Sequence, residues 1–178
     1  KSKIATHFAY ERIASKGYTP KTAFAKNALH SGVSFFQRNN EFILKLGVMS
    51  NDFEASNFYH PKFKEQYEEV KSLILIGQGT LNHSKNVQSK VIASYRKHFD
   101  MYDFNNYRLT DSSKLNVHYT DVYNAEWKTA IRSKLGKTTL GFEYRGEKVT
   151  SNRLGLTNNT VETVVFYPSV KLNKSYHR

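Results

Sequence analysis

The chain has 178 residues and carries 27 Lys and Arg against 15 Asp and Glu, a formal net charge of +12. It contains no cysteine, which excludes a disulfide scaffold and cysteine-based zinc sites. A mean hydropathy of −0.63, with no apolar run near the ~18 residues a membrane helix needs, excludes a helical membrane protein but not a membrane barrel, whose apolar and polar residues interleave.

Tyr and Phe number 12 each, and long stretches alternate with the period of a strand. Ile4 to Ile13 predicts a first strand, with Phe8 and Tyr10 on one face and His7, Ala9 and Glu11 on the other. Residues 14–22, with Lys16-Gly17 and Thr19-Pro20, predict a loop. Asn27 to Gln37 and Glu41 to Ser50 predict a hairpin turning on Asn39-Asn40, since Asn tolerates positive φ. That turn sets Arg38 against Glu41, Phe35 against Leu44 and Val33 against Leu46.

Residues 51–69 form a long polar and aromatic segment. Val70 to Leu81 predicts a fourth strand whose Leu73-Ile74-Leu75-Ile76 run leaves its facing open. Residues 82–86 turn the chain, and Val87 to Asp100 predicts a fifth strand with Val87, Val91, Ala93, Tyr95 and Phe99 on one face. A second irregular segment spans 101–120.

The clearest alternation lies between Tyr123 and Thr150, as two runs joined at Gly136-Lys137. Glycine at the first central position suits a two-residue turn that sets Leu135 against Thr138 and Ile131 against Phe142. Trp127, Ile131, Leu140, Phe142 and Tyr144 then share one face, and Lys128 meets Arg145 on the other. Residues 151–160 predict a loop and Val161 to Leu172 a last strand, with Val164, Phe166, Val170 and Leu172 on one side.

Connections therefore alternate, short after Gln37, Leu81 and Leu135, long after Ile13, Ser50, Asp100 and Thr150. A soluble sandwich has no reason to gather its short turns at one end, whereas an outer-membrane barrel does. Runs of ten residues or more also exceed the usual globular strand of about five or six. The predicted fold is all-β: an antiparallel, up-and-down transmembrane barrel segment of about eight strands. Two rivals are a complete small eight-stranded barrel and a soluble basic β-sheet protein that binds nucleic acid. The basic residues are dispersed, without the block of about five or six like charges of a nucleic-acid tail, and read as solvated or lumenal charge.

No constellation predicts catalysis, a cofactor or a metal. His7, His30, His60, His83, His98, His118 and His177 lack metal-ligand spacing, and Gly77-Gln78-Gly79 is no phosphate fingerprint. Glu126, Glu143 and Glu147 stand among Lys128, Arg132 and Arg145, which reads as a compensated charge lattice rather than an acid/base set. Asp100, Asp103, Asp111 and Asp121 do not have the spacing of an EF-hand. The candidate ligand-binding residues are Phe58, Tyr59, Tyr102, Tyr107 and Arg108. Their rings, with Phe104, suit stacking on a large ligand or equally loop packing, and Arg108 suits an anionic group.

Several stretches resemble TonB-dependent outer-membrane receptors, especially the cobalamin-receptor-like branch. They are Ser15-Lys16-Gly17-Tyr18 with Thr22-Ala23-Phe24, Asp52-Phe53-Glu54-Ala55-Ser56-Asn57-Phe58-Tyr59 with Gln66-Tyr67-Glu68, Thr120-Asp121-Val122-Tyr123, and residues 136–145. The likeness runs from about Phe8 to Gly155; Lys21 replaces the pattern's Asn and Glu54 its Gly. The resemblance implies that residues 1–178 are part of one plugged barrel of about 22 strands in the bacterial outer membrane. It implies import of a corrinoid, a siderophore or a similar nutrient, with lipid around the wall and TonB acting through a plug. The plug, the TonB box and the terminal strand are not in this sequence. Lys1 without a signal peptide, and the charged Ser-Tyr-His-Arg end, likewise read as a segment of a longer protein.

Overall fold

The computed structural model describes residues 2–57, 61–153 and 159–172. It holds one antiparallel sheet of eight strands in sequence order. These are β1 (Ser2–Ser15), β2 (Phe24–Gln37), β3 (Asn40–Glu54), β4 (Tyr67–Asn82), β5 (Val87–Asp103), β6 (Asn116–Arg132), β7 (Gly136–Ser151) and β8 (Asn159–Leu172). The only helical pieces among the described residues are two short 3-10 turns, Tyr107–Leu109 and Ser112–Lys114. The sheet is open: β1 pairs only with β2 and β8 only with β7. A complete small barrel closed by a β1–β8 ladder is therefore not what these strands form.

The short turns 38–39, 83–86 and 133–135 lie at one end, and the longer connections 16–23, 55–66 and 104–115 at the other. Two turns differ in detail from the sequence reading. Gln37 pairs with Asn40, so Arg38 and Asn39 are central and Arg38 takes the positive φ of 54°. Asn40 is held in the ladder because its Oδ1 accepts the Asn82 N–H at 2.9 Å. In the β6–β7 hairpin Ser133 and Gly136 exchange both backbone bonds, at 2.8 and 3.2 Å, leaving Lys134 and Leu135 as the loop. Thr138 thus lies opposite Ile131 rather than Leu135, and Lys128 opposite Gly141 rather than Arg145. Gly136 has φ 152°, and a Cβ there would lie 2.1 Å from the Lys171 carbonyl oxygen. Glycine serves as the closing residue, not as the first central one.

Both displacements are even in number, so no side chain changes face. One face is apolar across all eight strands. Along one row Phe166, Phe142, Trp127, Val91, Gly79, Phe42, Phe35 and Ile4 are successive cross-strand partners. The next row is Val164, Tyr144, Ala125, Ala93, Gly77, Leu44, Val33 and Thr6. In β4, Leu73 and Leu75 join this face while Ile74 and Ile76 turn to the other. The apolar rows run along β6 from Ile131 to Tyr123, about 27 Å of strand and roughly 20 Å of height at a ~40° tilt. They end toward the long connections in rings, Tyr95 stacked on Tyr123 at 5.0 Å and Phe99 beside Tyr119 at 5.2 Å.

Among the described residues nothing covers this face. Among the described residues only Ala28, Ala55, Leu115 and Val122 are buried hydrophobics, while Phe166 is 75% exposed and Trp127 44%. The accessible surface is 12956 Å². A compact soluble monomer of this mass would expose about 8,900 Å². The sheet has no core of its own.

Backbone hydrogen bonds also fix which way β8 points its backbone. Ser133 with Gly136, and Asn152 N–H to Val117 O, show that even-numbered residues of β7 bond to β6. Odd-numbered residues of β7 therefore bond to β8, where Tyr167 and Ser169 face Gly141 and Thr139. Pro168 points its missing N–H toward the free edge, the place where a strand proline is tolerated. Pro168→Val is expected to leave the β7–β8 ladder intact, changing stability by no more than about 0.5 kcal/mol in a thermal scan.

The opposite face carries the charge lattice. Lys128 pairs with Glu126 and Arg145 with Glu147, each along its own strand. The Tyr167 hydroxyl donates to Glu126 Oε1 at 2.7 Å by lying across Gly141, where a Cβ would sit 2.3 Å from the ring. Gly141→Ala is expected to swing Tyr167 away and cost about 1.5–3 kcal/mol, the worth of one hydrogen bond to a charged acceptor. Tyr167→Phe in the alanine background should add nothing further, which a double-mutant cycle measures.

Candidate ligand-binding loops

The long connections form a platform at one end of the sheet, organised by Asp103. This last residue of β5 is fully buried. Its Oδ1 accepts the N–H of Asn105 at 3.1 Å and of Tyr107 at 2.8 Å, and its Oδ2 that of Arg108 at 2.9 Å. An aspartate that bonds its own backbone a few residues on is a turn former. Asn106 adopts the left-handed conformation (φ 58°) that starts the 3-10 turn Tyr107–Leu109. The carboxylate of Asp103 is thus occupied by backbone donors.

Further contacts brace the loops and tie them together. The Asn106 N–H donates to Glu65 O at 3.1 Å, joining loop 104–115 to loop 55–66. Gln66, almost wholly buried, donates from Nε2 to Phe63 O at 2.9 Å, while its carbonyl accepts the Ala55 N–H at 2.9 Å. Lys21 pairs with Glu65, and its carbonyl accepts the Ser56 N–H, bringing in loop 16–23.

Of the residues expected to recognise a ligand, Phe58 and Tyr59 lie outside the described residues. Tyr102 and Tyr107 both border Phe104, at 6.1 and 5.4 Å between centroids, and Phe63 adds a fourth ring at 5.3 Å. Arg108 goes elsewhere: its guanidinium lies 3.5 Å above the Tyr67 ring. Tyr67 is in register with the apolar-face positions and Tyr102 with the polar-face ones. The structure therefore joins Tyr102 and Tyr107 in one aromatic group and gives Arg108 a different neighbour.

Beside Arg108 is a polar cavity of about 150 Å³, lined by Lys21, Glu54, Glu65, Gln66, Tyr67 and Asn106 among others. It has room for about five waters at ~30 Å³ each. Sites for drug-sized ligands occupy about 300–1,000 Å³. This cavity therefore belongs to the loop framework and is too small for a ligand of that size.

The other acids lie apart, Asp111 in loop 104–115 but Asp100 and Asp121 within β5 and β6 rather than in loops. Asp111 accepts from the Ser113 N–H at 3.2 Å and from its hydroxyl at 2.6 Å. Those bonds, then Lys114, hold its carboxyl below the usual carboxylate value. Asp121 accepts the Tyr95 hydroxyl at 2.5 Å. Asp100, opposite His118, keeps an Oδ1 with no partner among the described residues. No group of three or more His, Asp or Glu among the described residues is placed to hold a metal ion.

Phe63, Tyr67, Lys21 and Gln66 were missed as platform residues. Only Asp103 carried a sequence signal, the Asp-Phe-Asn-Asn turn pattern. No protein-family model, curated protein or solved structure matches this chain.

Proposed function

We propose that this sheet is a section of the wall of an outer-membrane receptor that imports a scarce nutrient, with TonB-coupled energy entering through a plug. One observation carries the reading: an apolar face continuous over eight strands with no described residue packed upon it. A soluble fold covers such a face with a second layer, whereas lipid covers the wall of a barrel. Strands of 14–17 residues exceed the roughly 9–11 that cross a bilayer, so their surplus length carries the loop platform beyond it. The gathering of short turns at one end, and the receptor-like residue pattern, support the same reading.

In this reading the polar face looks into the lumen, and the rings of Tyr102, Phe104 and Tyr107 present a stacking surface to a corrinoid, a siderophore chelate or a similar ligand. The test is uptake of candidate ligands by cells carrying the full-length protein, with and without loops 55–66 and 104–115. Loss of uptake, with the protein still in the outer membrane, is expected. Unchanged uptake of the ligand by the doubly deleted protein would remove the loops from the mechanism.

A further inference from the structure

Basic residues are dispersed along the sequence, but the ladder gathers them at the short-turn end of β5 to β8. Arg132, Lys137 and Lys171 are successive cross-strand partners on the polar face. Like charges directly opposite one another oppose folding, and here three stand in one row. None of the three has an ion pair among the described residues, and neither have Lys85 in the turn 83–86 and Lys90 near the start of β5.

The carboxylates stop short of this end. Among the described residues the turns 83–86 and 133–135 hold no Asp or Glu. Neither do β4 beyond Glu69, β5 before Asp100, β6 beyond Glu126, β7 before Glu143 or β8 beyond Glu162. Glu126 is engaged by Lys128 and by the Tyr167 hydroxyl. Glu41, at the start of β3, is separated from Lys90 by Thr80 in the register. The short-turn end of β5 to β8 is therefore strongly positive on its polar face.

Between the basic row and the turn 83–86 is a polar cleft of about 90 Å³, lined by Ser84, Lys85, Asn86, Arg132 and Lys137 among others. The Arg132 N–H donates to Asn86 O at 2.8 Å and fixes the turn against β6. Ser84 Oγ accepts the N–H of Asn86 at 3.2 Å and that of Val87 at 3.1 Å. Both hydroxyl lone pairs are thus used, and its O–H proton is left to donate. No described residue accepts it. At ~30 Å³ per water the cleft has room for about three waters, the size of one compact oxyanion.

The geometry points to a binding site for a phosphoryl group, held by the Arg132 guanidinium, the ammonium groups of Lys85 and Lys137 and the Ser84 hydroxyl. Lys171 adds its charge from the next strand. A guanidinium offers phosphate two parallel N–H donors, and a bound anion relieves the repulsion along the row. A phosphoryl group is favoured over a carboxylate because its second charge also meets these cations.

The test uses the full-length protein in dodecyl maltoside at about pH 8, where a phosphate monoester carries close to two charges. Calorimetry at one ionic strength follows inorganic phosphate, glycerol phosphate and acetate, and native mass spectrometry counts bound phosphatidic acid. The free phosphates should bind roughly tenfold tighter than acetate, the scale that a second anionic charge facing three cations gives in screened water. Arg132→Gln with Lys137→Gln should bring them to the acetate level. Arg132→Lys with Lys137→Arg should keep the preference and show that the fold tolerates change there. Binding of the free phosphates assigns the site to a soluble phosphoryl compound. Retention of phosphatidic acid alone, lost in the glutamine pair, assigns it to a lipid headgroup. Equal binding of phosphate and acetate, a preference untouched by the glutamine pair, or binding of no phosphoryl compound overturns the inference.

Discussion

Replacing Asp103 by alanine is expected to dismantle the loop platform while sparing the sheet. Three backbone N–H groups lose their acceptor at once, and the site is fully buried. Bonds to a charged acceptor contribute about 1.5–3 kcal/mol each, but water can reach opened loops, so the net loss should be about 2–4 kcal/mol rather than the sum. It should appear as fast hydrogen exchange at Asn105, Tyr107 and Arg108, with exchange in the strands unchanged. Asp103→Asn should fall between, because one oxygen remains for Asn105 and Tyr107 while an amide nitrogen confronts the Arg108 N–H. Unaltered protection in the alanine variant would show that something else holds these loops.

Val91→Arg is expected to destabilise the protein in lipid by about 2–4 kcal/mol, the cost of a basic side chain near the middle of a bilayer. Val91 lies in the row with Trp127 and Phe42, within the apolar band, and is 42% exposed. At that exposure in water the same change would stay within about 0.5 kcal/mol. Ser94→Arg, on the polar face opposite Asn124 and Ile76, is the control and should be tolerated. Urea titrations of both variants in liposomes give the comparison. Equal, small effects at the two positions would contradict a lipid-facing surface.

The strands were legible because alternation by two records a face that must differ from its reverse. Turn chemistry was a weaker guide. Arg38 took the left-handed conformation that Asn39-Asn40 suggested for itself, and Gly136 closed a turn rather than opening one. The faces survived since each hairpin slipped by an even number of residues. β4 could not be oriented from its Leu73-Ile74-Leu75-Ile76 run, which is apolar on both sides; only the neighbouring strands settle it.

Strand ends were read too short for a related reason. Asn116 to Thr120 and Met101 to Asp103 lack the apolar alternation, yet they pair, because ladder bonds use the backbone and not the side chains. The segment 101–120 accordingly shrinks to a connection of 104–115. At the platform, Asp103 was readable as a local turn former, whereas Arg108 over Tyr67 joins distant parts of the chain and leaves no trace in spacing.

Whether one face meets lipid can be measured along a single strand. These 178 residues contain no cysteine, so a cysteine placed among them carries the only label within them once any cysteine elsewhere in the protein is replaced. Nitroxides placed in turn from Tyr123 to Ile131 in the full-length, membrane-reconstituted protein would report collision with dissolved oxygen, which concentrates in lipid, and with a water-soluble nickel chelate. Oxygen should dominate at Tyr123, Ala125, Trp127, Thr129 and Ile131, and the chelate at Asn124, Glu126, Lys128 and Ala130, alternating without a break. Chelate access at Trp127 and Ala125 equal to that at Lys128, or exclusion of both reagents from them by a second protein layer, would contradict a wall facing lipid.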